Sequence, residues 1–223
     1  MQRLSRAMMT WPMVAAANPS PPDIARNHGP CKNHDSAGLV TSITPSLTRH
    51  CPRHSASGSN GSAGHLACEL FKLQTGAPII HVPYKGGGPA MTDLLGGQVQ
   101  MMFDNMASSL PQIKAGKLKA FAVTTPKRSA LAPDLPTMAE VGVKDFDVFT
   151  WWGLFAPADT PSELVKRLSI EVNKSLAAPD LREKWLASGA EPAASTPEEF
   201  KAFIGKELTK YARIVKEIGA KVD

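Results

Sequence analysis

From Ser55 to Val123 short apolar runs alternate with amphipathic ones, and glycine marks most changes of period. Leu66, Leu70 and Leu73 share one helical face, with Ala67 and Phe71 beside them, and Gly76 follows as a stop. Ile79-Ile80-His81-Val82 is short, apolar and rich in β-branched residues, which marks a strand and gives His81 a structural reading. Tyr84 to Gly88 is a loop, and Pro89 suits the first turn of a helix that runs to Leu95 and ends at Gly96-Gly97. Val99 to Phe103 and Leu118 to Val123 read as further strands around a short helix, Ser108 to Ala115, stopped by Gly116. Apolar strands alternating with helices require an α/β fold, with a parallel or mixed sheet covered by helices.

The last third is helical. Pro126, Pro133 and Pro136 mark a polar connection, and Thr137 to Val141 reads as a short helix ended by Gly142. Phe146 to Phe155 is rich in aromatics, among them Trp151 and Trp152, and reads as a buried strand crossing between domains. Thr160-Pro161-Ser162-Glu163 is a capping box, followed by Leu164, Leu168, Val172 and Leu176 four apart. Asp180 can cap a second helix, closed by Gly189. Thr196-Pro197-Glu198-Glu199 repeats the box, and Phe200, Ile204, Leu208, Tyr211, Val215 and Ile218 mark one face of a long helix in need of a partner surface.

The first quarter differs. Residues 1–54 hold seven prolines, four of the six histidines and no clear periodicity, so this segment is expected to be a disordered tail. It also carries six Lys/Arg against two Asp/Glu, which accounts for +4 of the net +5. The rest is nearly balanced, which argues against a nucleic-acid partner. Arg3, Arg6, Ala7 to Val14 and Ala15-Ala16-Ala17 make a weak export signal, interrupted by Thr10 and Pro12. Cys31, His34, Cys51 and His54 have a spacing that zinc could use, set against chance in a segment with no core. No apolar stretch is long enough to span a membrane.

Candidate chemistry gathers at three helix starts, where free N–H groups and the helix dipole favour a small anion. One follows Ser57, Asn60, Gly61 and Ser62, with His65 in its first turn; a second follows Tyr84, Gly86, Gly87 and Gly88; a third follows Asp104. Each adjoins a strand end, where ligands collect in open α/β sheets. Neither the G-x-G-x-x-G nor the P-loop order is present, so a nucleotide is not expected. Ser62 and His65, three apart, leave a hydrolase as an alternative, though no nucleophile elbow surrounds the serine. Cys68 reads as a small packed side chain.

The ordered motifs Gly61-Ser62-Ala63-Gly64-His65-Leu66-Ala67, His81-Val82-Pro83-Tyr84-Lys85-Gly86-Gly87-Gly88-Pro89-Ala90, Asp93-Leu94-Leu95-Gly96-Gly97-Gln98-Val99, Met102-Phe103-Asp104-Asn105 and Gly153-Leu154-Phe155-Ala156-Pro157 resemble the receptors of tripartite tricarboxylate transporters, also called Bug proteins. The resemblance covers roughly 55–223. It implies a periplasmic-binding-protein type II-like α/β fold, with one nearly complete lobe plus the C-terminal part of the other. Residues 55–147 would be the second lobe, 148–223 the strand and helices returning to the first, and 1–54 a segment outside the family. It further implies capture of a small organic carboxylate for two membrane subunits, in the periplasm, without cofactor, metal or catalysis. The ligand-binding positions it marks are Ser57, Asn60, Gly61, Ser62, His65, Tyr84, Gly86, Gly87, Gly88 and Asp104. The opening half of the first lobe has no counterpart, so the chain reads as a truncated receptor or a non-functional fragment.

Overall fold

The computed structural model describes residues 8–11, 13–17 and 53–219. Strands β3 (Arg53–Ser57), β4 (Ile79–Pro83) and β5 (Met101–Asn105) run parallel, with β3 in the middle. Next to β5 lies β2 (Met13–Ala17), antiparallel both to β5 and to β6 (Lys119–Val123). The resulting five-stranded sheet has the order β4-β3-β5-β2-β6. A second sheet places β1 (Met8–Trp11) between β7 (Thr150–Gly153) and β8 (Glu191–Ala193), all antiparallel.

Period-two alternation sorts β5 onto two cores. Met101 and Phe103 face α1 (Ala63–Thr75), where Leu66, Phe71, Ile79, Phe146 and Ile214 complete the cluster. Phe71, Phe103 and Phe146 meet at centroid distances of 5.8 to 6.3 Å, within the range that favours aromatic pairs. Met102 faces the other way, toward Ala90 and Leu94 of α2 (Gly87–Leu95) and Met106 of α3 (Met106–Lys114). Helices therefore cover both faces of the larger sheet.

The C-terminal elements join the two sheets. After β7 come α4 (Ser162–Ala177), α5 (Pro179–Ala187), β8 and α6 (Pro197–Ile218). Phe200 of α6 packs edge-on against Trp151, and a Cβ at Gly153 would lie 2.2 Å from its ring. Farther along α6, Ile214 enters the core beneath α1. One helix thus covers parts of both sheets.

Several expectations need correction. Met8–Trp11 and Met13–Ala17 are strands, where no periodic element was expected. Arg53 and His54 open β3, ahead of the expected start at Ser55. Thr137 to Val141 is a turn and not a helix: Val123 exchanges backbone bonds with Pro136 and Met138, which holds Thr137 extended. In the aromatic segment only Thr150–Gly153 is a strand, and Trp152 is 59% exposed on the face opposite Trp151. On α4 the buried residues are Val165, Ser169 and Leu176: the expected row holds at Leu176, while in the first two turns the buried positions shift by one and leave Leu164 and Leu168 exposed. Leu208 is exposed while Glu207, paired with Lys210, takes the buried place. Of the zinc candidates, Cys31, His34 and Cys51 lie outside the described residues.

Candidate functional site

Because β3, β4 and β5 are parallel, their C-terminal ends lie along one edge of the sheet. Each leads within a few residues into α1, α2 or α3, so the three helix N-termini share that edge. Two further facts orient the edge. β2 begins there, opposite Asn105, one residue after β1 leaves the smaller sheet. β6, parallel to β5 through their common partner, ends there before the chain returns to β7. The loops therefore open on the side where the chain passes between the sheets. Gly189, just beyond α5, closes one flank: a Cβ there would sit 2.5 Å from the Ala107 Cα in the first turn of α3.

The first two loops are joined by backbone. The Gly86 N–H donates to the Gly58 carbonyl at 2.7 Å, and the Tyr84 N–H donates to the Ser57 carbonyl at 2.9 Å. A Cβ at Gly58 would stand 3.3 Å from the Gly87 nitrogen, so the absence of a side chain there lets the loops touch. Gly86 has φ of +109°, a conformation that favours glycine, and turns the chain into α2. Gly87 and Gly88 follow as the exposed first residues of that helix, where N–H groups have no partner within the helix.

Ser62 caps α1: its hydroxyl accepts from the His65 N–H at 3.3 Å and donates to the Ser59 carbonyl at 2.8 Å. The cap spacing is legible in the sequence, and the hydroxyl both donates and accepts within its own loop. The His65 ring does not meet Ser62, because its Nδ1 accepts from the Gly61 N–H at 3.0 Å. Asn60 is exposed in the same loop. Ser57 is fully buried; its hydroxyl donates to the Ser59 carbonyl at 3.0 Å and lies 2.6 Å from Nε2 of His81.

Tyr84 and Asp104 are each engaged by neighbouring side chains. The Tyr84 hydroxyl donates to Asp93 at 2.7 Å, and burial with that carboxylate pushes it up to about 12. Asp104 is only 7% exposed, and its carboxylate accepts from both Ser108 and Ser109. Desolvation raises its pKa despite these donors. Asp104 thus serves the first turn of its own helix. Cys68 is buried, and burial pushes its thiol up to about 11.

His81, read from the sequence as structural, stands directly beside the first loop. Its place in an apolar run hid the alternation that puts it, like Ile79, on the α1 side of β4. There it stacks on His65 with centroids 4.1 Å apart and planes 22° apart. His65, Glu69 and His81 bring donor atoms within 4.8 Å of one another. An ion held by both imidazoles would have to lie in both ring planes, however, and these are nearly parallel. Gly61 and Ser57 engage one nitrogen of each ring, and Lys72 pairs with Glu69 at 2.8 Å. The two rings form a stacked pair, each hydrogen-bonded to its own partner in the first loop. Among the described residues, hollows also lie away from the loops, one on α6 around Lys206 and Arg213 and another among Trp152, Leu176, Leu181 and Trp185.

Comparison with known proteins fits this geometry. The profile of the tripartite tricarboxylate transporter family receptor matches residues 46–220. The chain belongs to that receptor family. Protein BugT of Bordetella pertussis is 41% identical over 162 residues, which cover 73% of this chain and 50% of that protein. A UPF0065 protein of Pseudomonas sp. strain P51 is 37% identical over 163 residues, 73% of this chain and 48% of its own. The chain spans about half the length of these curated relatives. Among solved structures, an R. palustris protein with adipate superposes with TM-score 0.80 at 31% identity, over 98% of this chain and 69% of that one. The periplasmic binding protein BugD gives 0.76 at 30%, over 99% and 70%. MatC of Rhodopseudomonas palustris, with bound malate, gives 0.70 at 25%, over 96% and 69%. The fold is that of the family's periplasmic binding proteins, mixed α/β and covering roughly one lobe.

Proposed function

We propose that this chain is the carboxylate-capturing part of a receptor serving a tripartite tricarboxylate transporter. The single observation that carries the reading is the meeting of three helix N-termini at one sheet edge, with the first two loops in backbone contact at Gly58 and Gly86. A carboxylate seated there accepts from unshared N–H groups at the starts of α1, α2 and α3, and the helix dipoles add partial positive charge. Gly87 and Gly88 keep the approach clear of side chains. Lys85, exposed in the same loop, adds a full charge.

Residues 55–147 act as the ligand-binding lobe, and 148–223 contribute the returning strand and helices of the other. The R. palustris relatives with adipate and malate favour a dicarboxylate. Delivery is to the transporter's membrane subunits, in the periplasm. The Ser62 hydroxyl, committed to Ser59 and the His65 backbone, speaks for a binding protein over a hydrolase.

Isothermal titration with mono-, di- and tricarboxylates, and with the matching amides, tests this. Heat from a dicarboxylate and none from its diamide is expected. Gly58→Ala should push the loops apart by a few tenths of an ångström and weaken binding about tenfold, or ~1.4 kcal/mol. A cooperatively melting chain that binds no carboxylate would reduce the claim to shared ancestry.

A further inference from the structure

We infer that His81 is a positioning residue for the ligand loop, acting through Ser57 and Ser59 and braced by the stacked ring of His65. The inference rests on reading Ser57 to Ser62 as a ligand loop.

Hydrogen-bond roles follow from counting protons. The Ser57 hydroxyl has one, and it goes to the Ser59 carbonyl. The 2.6 Å contact with His81 is then an Nε2–H donating to the Ser57 oxygen, with the His81 Nδ1 unprotonated. His65 has the same tautomer for a different reason: Nδ1 accepts the Gly61 N–H, so the ring proton sits on Nε2. The loop is thereby held at two points. Ser57 and Ser62 both grip the Ser59 carbonyl, and His65 grips the Gly61 amide.

Acid acts differently on the two rings. A second proton on His65 must enter Nδ1, which converts the acceptor of the Gly61 N–H into a competing donor. A second proton on His81 leaves its Ser57 bond intact but places charge 4.1 Å from the neighbouring ring. The charged groups that bear on the pair are Glu69 and Lys72 of α1; β3 offers the uncharged Ser57. Burial lowers His65 below 6.5, and burial with the His65 neighbour lowers His81 to about 4. Both folded values lie below the unfolded one, so the closed arrangement is complete above pH 6.5 and is lost as pH falls through the folded values.

The test follows the imidazole Cε1–H signals and the loop amide exchange by NMR from pH 8 to 4. In the native chain both rings should titrate below 6.5 in separate steps, and Gly61 should lose protection as His65 takes its proton. His81→Ala should speed exchange across Ser57–Ser62 at pH 7 and weaken adipate binding about tenfold. His81→Gln, which retains a donor at the Nε2 position, should restore both and flatten the lower-pH part of the profile. A His65 that titrates at or above 6.5, a Gly61 amide indifferent to that titration, or His81→Ala loop exchange like the native chain's would overturn the inference. If the NMR behaviour holds but adipate never binds, the positioning role stands and the carboxylate reading falls.

Discussion

A methyl group at position 189 would have almost no room. Gly189 has φ of +81°, and its added Cβ would lie 2.6 Å from the Ala107 nitrogen, closer than folded proteins allow. Left-handed strain and overpacking each cost ~1–3 kcal/mol. Gly189→Ala should therefore lose more than about 2 kcal/mol in thermal or urea unfolding; a change within ~0.5 kcal/mol would show that this flank is loose. The sequence reading took Gly189 as a helix stop, which it is, but contact with a helix eighty residues earlier leaves no mark in a local pattern. His81 teaches the same lesson. Its alternation with Ile80 and Val82 was available, yet only the fold brings His65 onto its ring. Asp104 was visible as a strand-end acid, and the hydroxyls of Ser108 and Ser109 explain why its carboxylate is held against its own helix.

Two segments with the same capping spelling behave differently as elements. Thr196 and Glu199 form the reciprocal box at the start of α6, with bonds of 3.2 and 2.6 Å. At α4 the box does not close, because the Thr160 N–H donates to the Pro157 carbonyl and Glu163 pairs with Lys166. Thr196→Ala should cost ~1 kcal/mol and Thr160→Ala a few tenths at most. Equal losses from the two substitutions in denaturant unfolding would contradict the assignment. The helices and β3 to β6 were largely legible because period and glycine punctuation coincide there. β1 and β2 were not: each is short, and their partners lie more than eighty residues away, so pairing rather than local preference makes them strands.

At the scale of the molecule, the site depends on topology more than on any motif. Three glycine-bearing turns are separately ordinary; parallel strands align them, and the crossings between sheets give that edge a side to face. Sequence pattern exposed the turns but not their alignment, since strand order is set by contacts between distant segments. The apolar hollow that Trp152, Leu154, Leu176 and Trp185 line likewise appears only once the returning helices are placed. The most direct measurement is an amide-resolved NMR titration of the chain with a dicarboxylate such as adipate. Saturable shifts clustered at residues 58–62, 86–88 and 105–108 are the predicted result. Shifts confined to the hollows on α6 or beside Trp185, with those three turns unmoved, would contradict it.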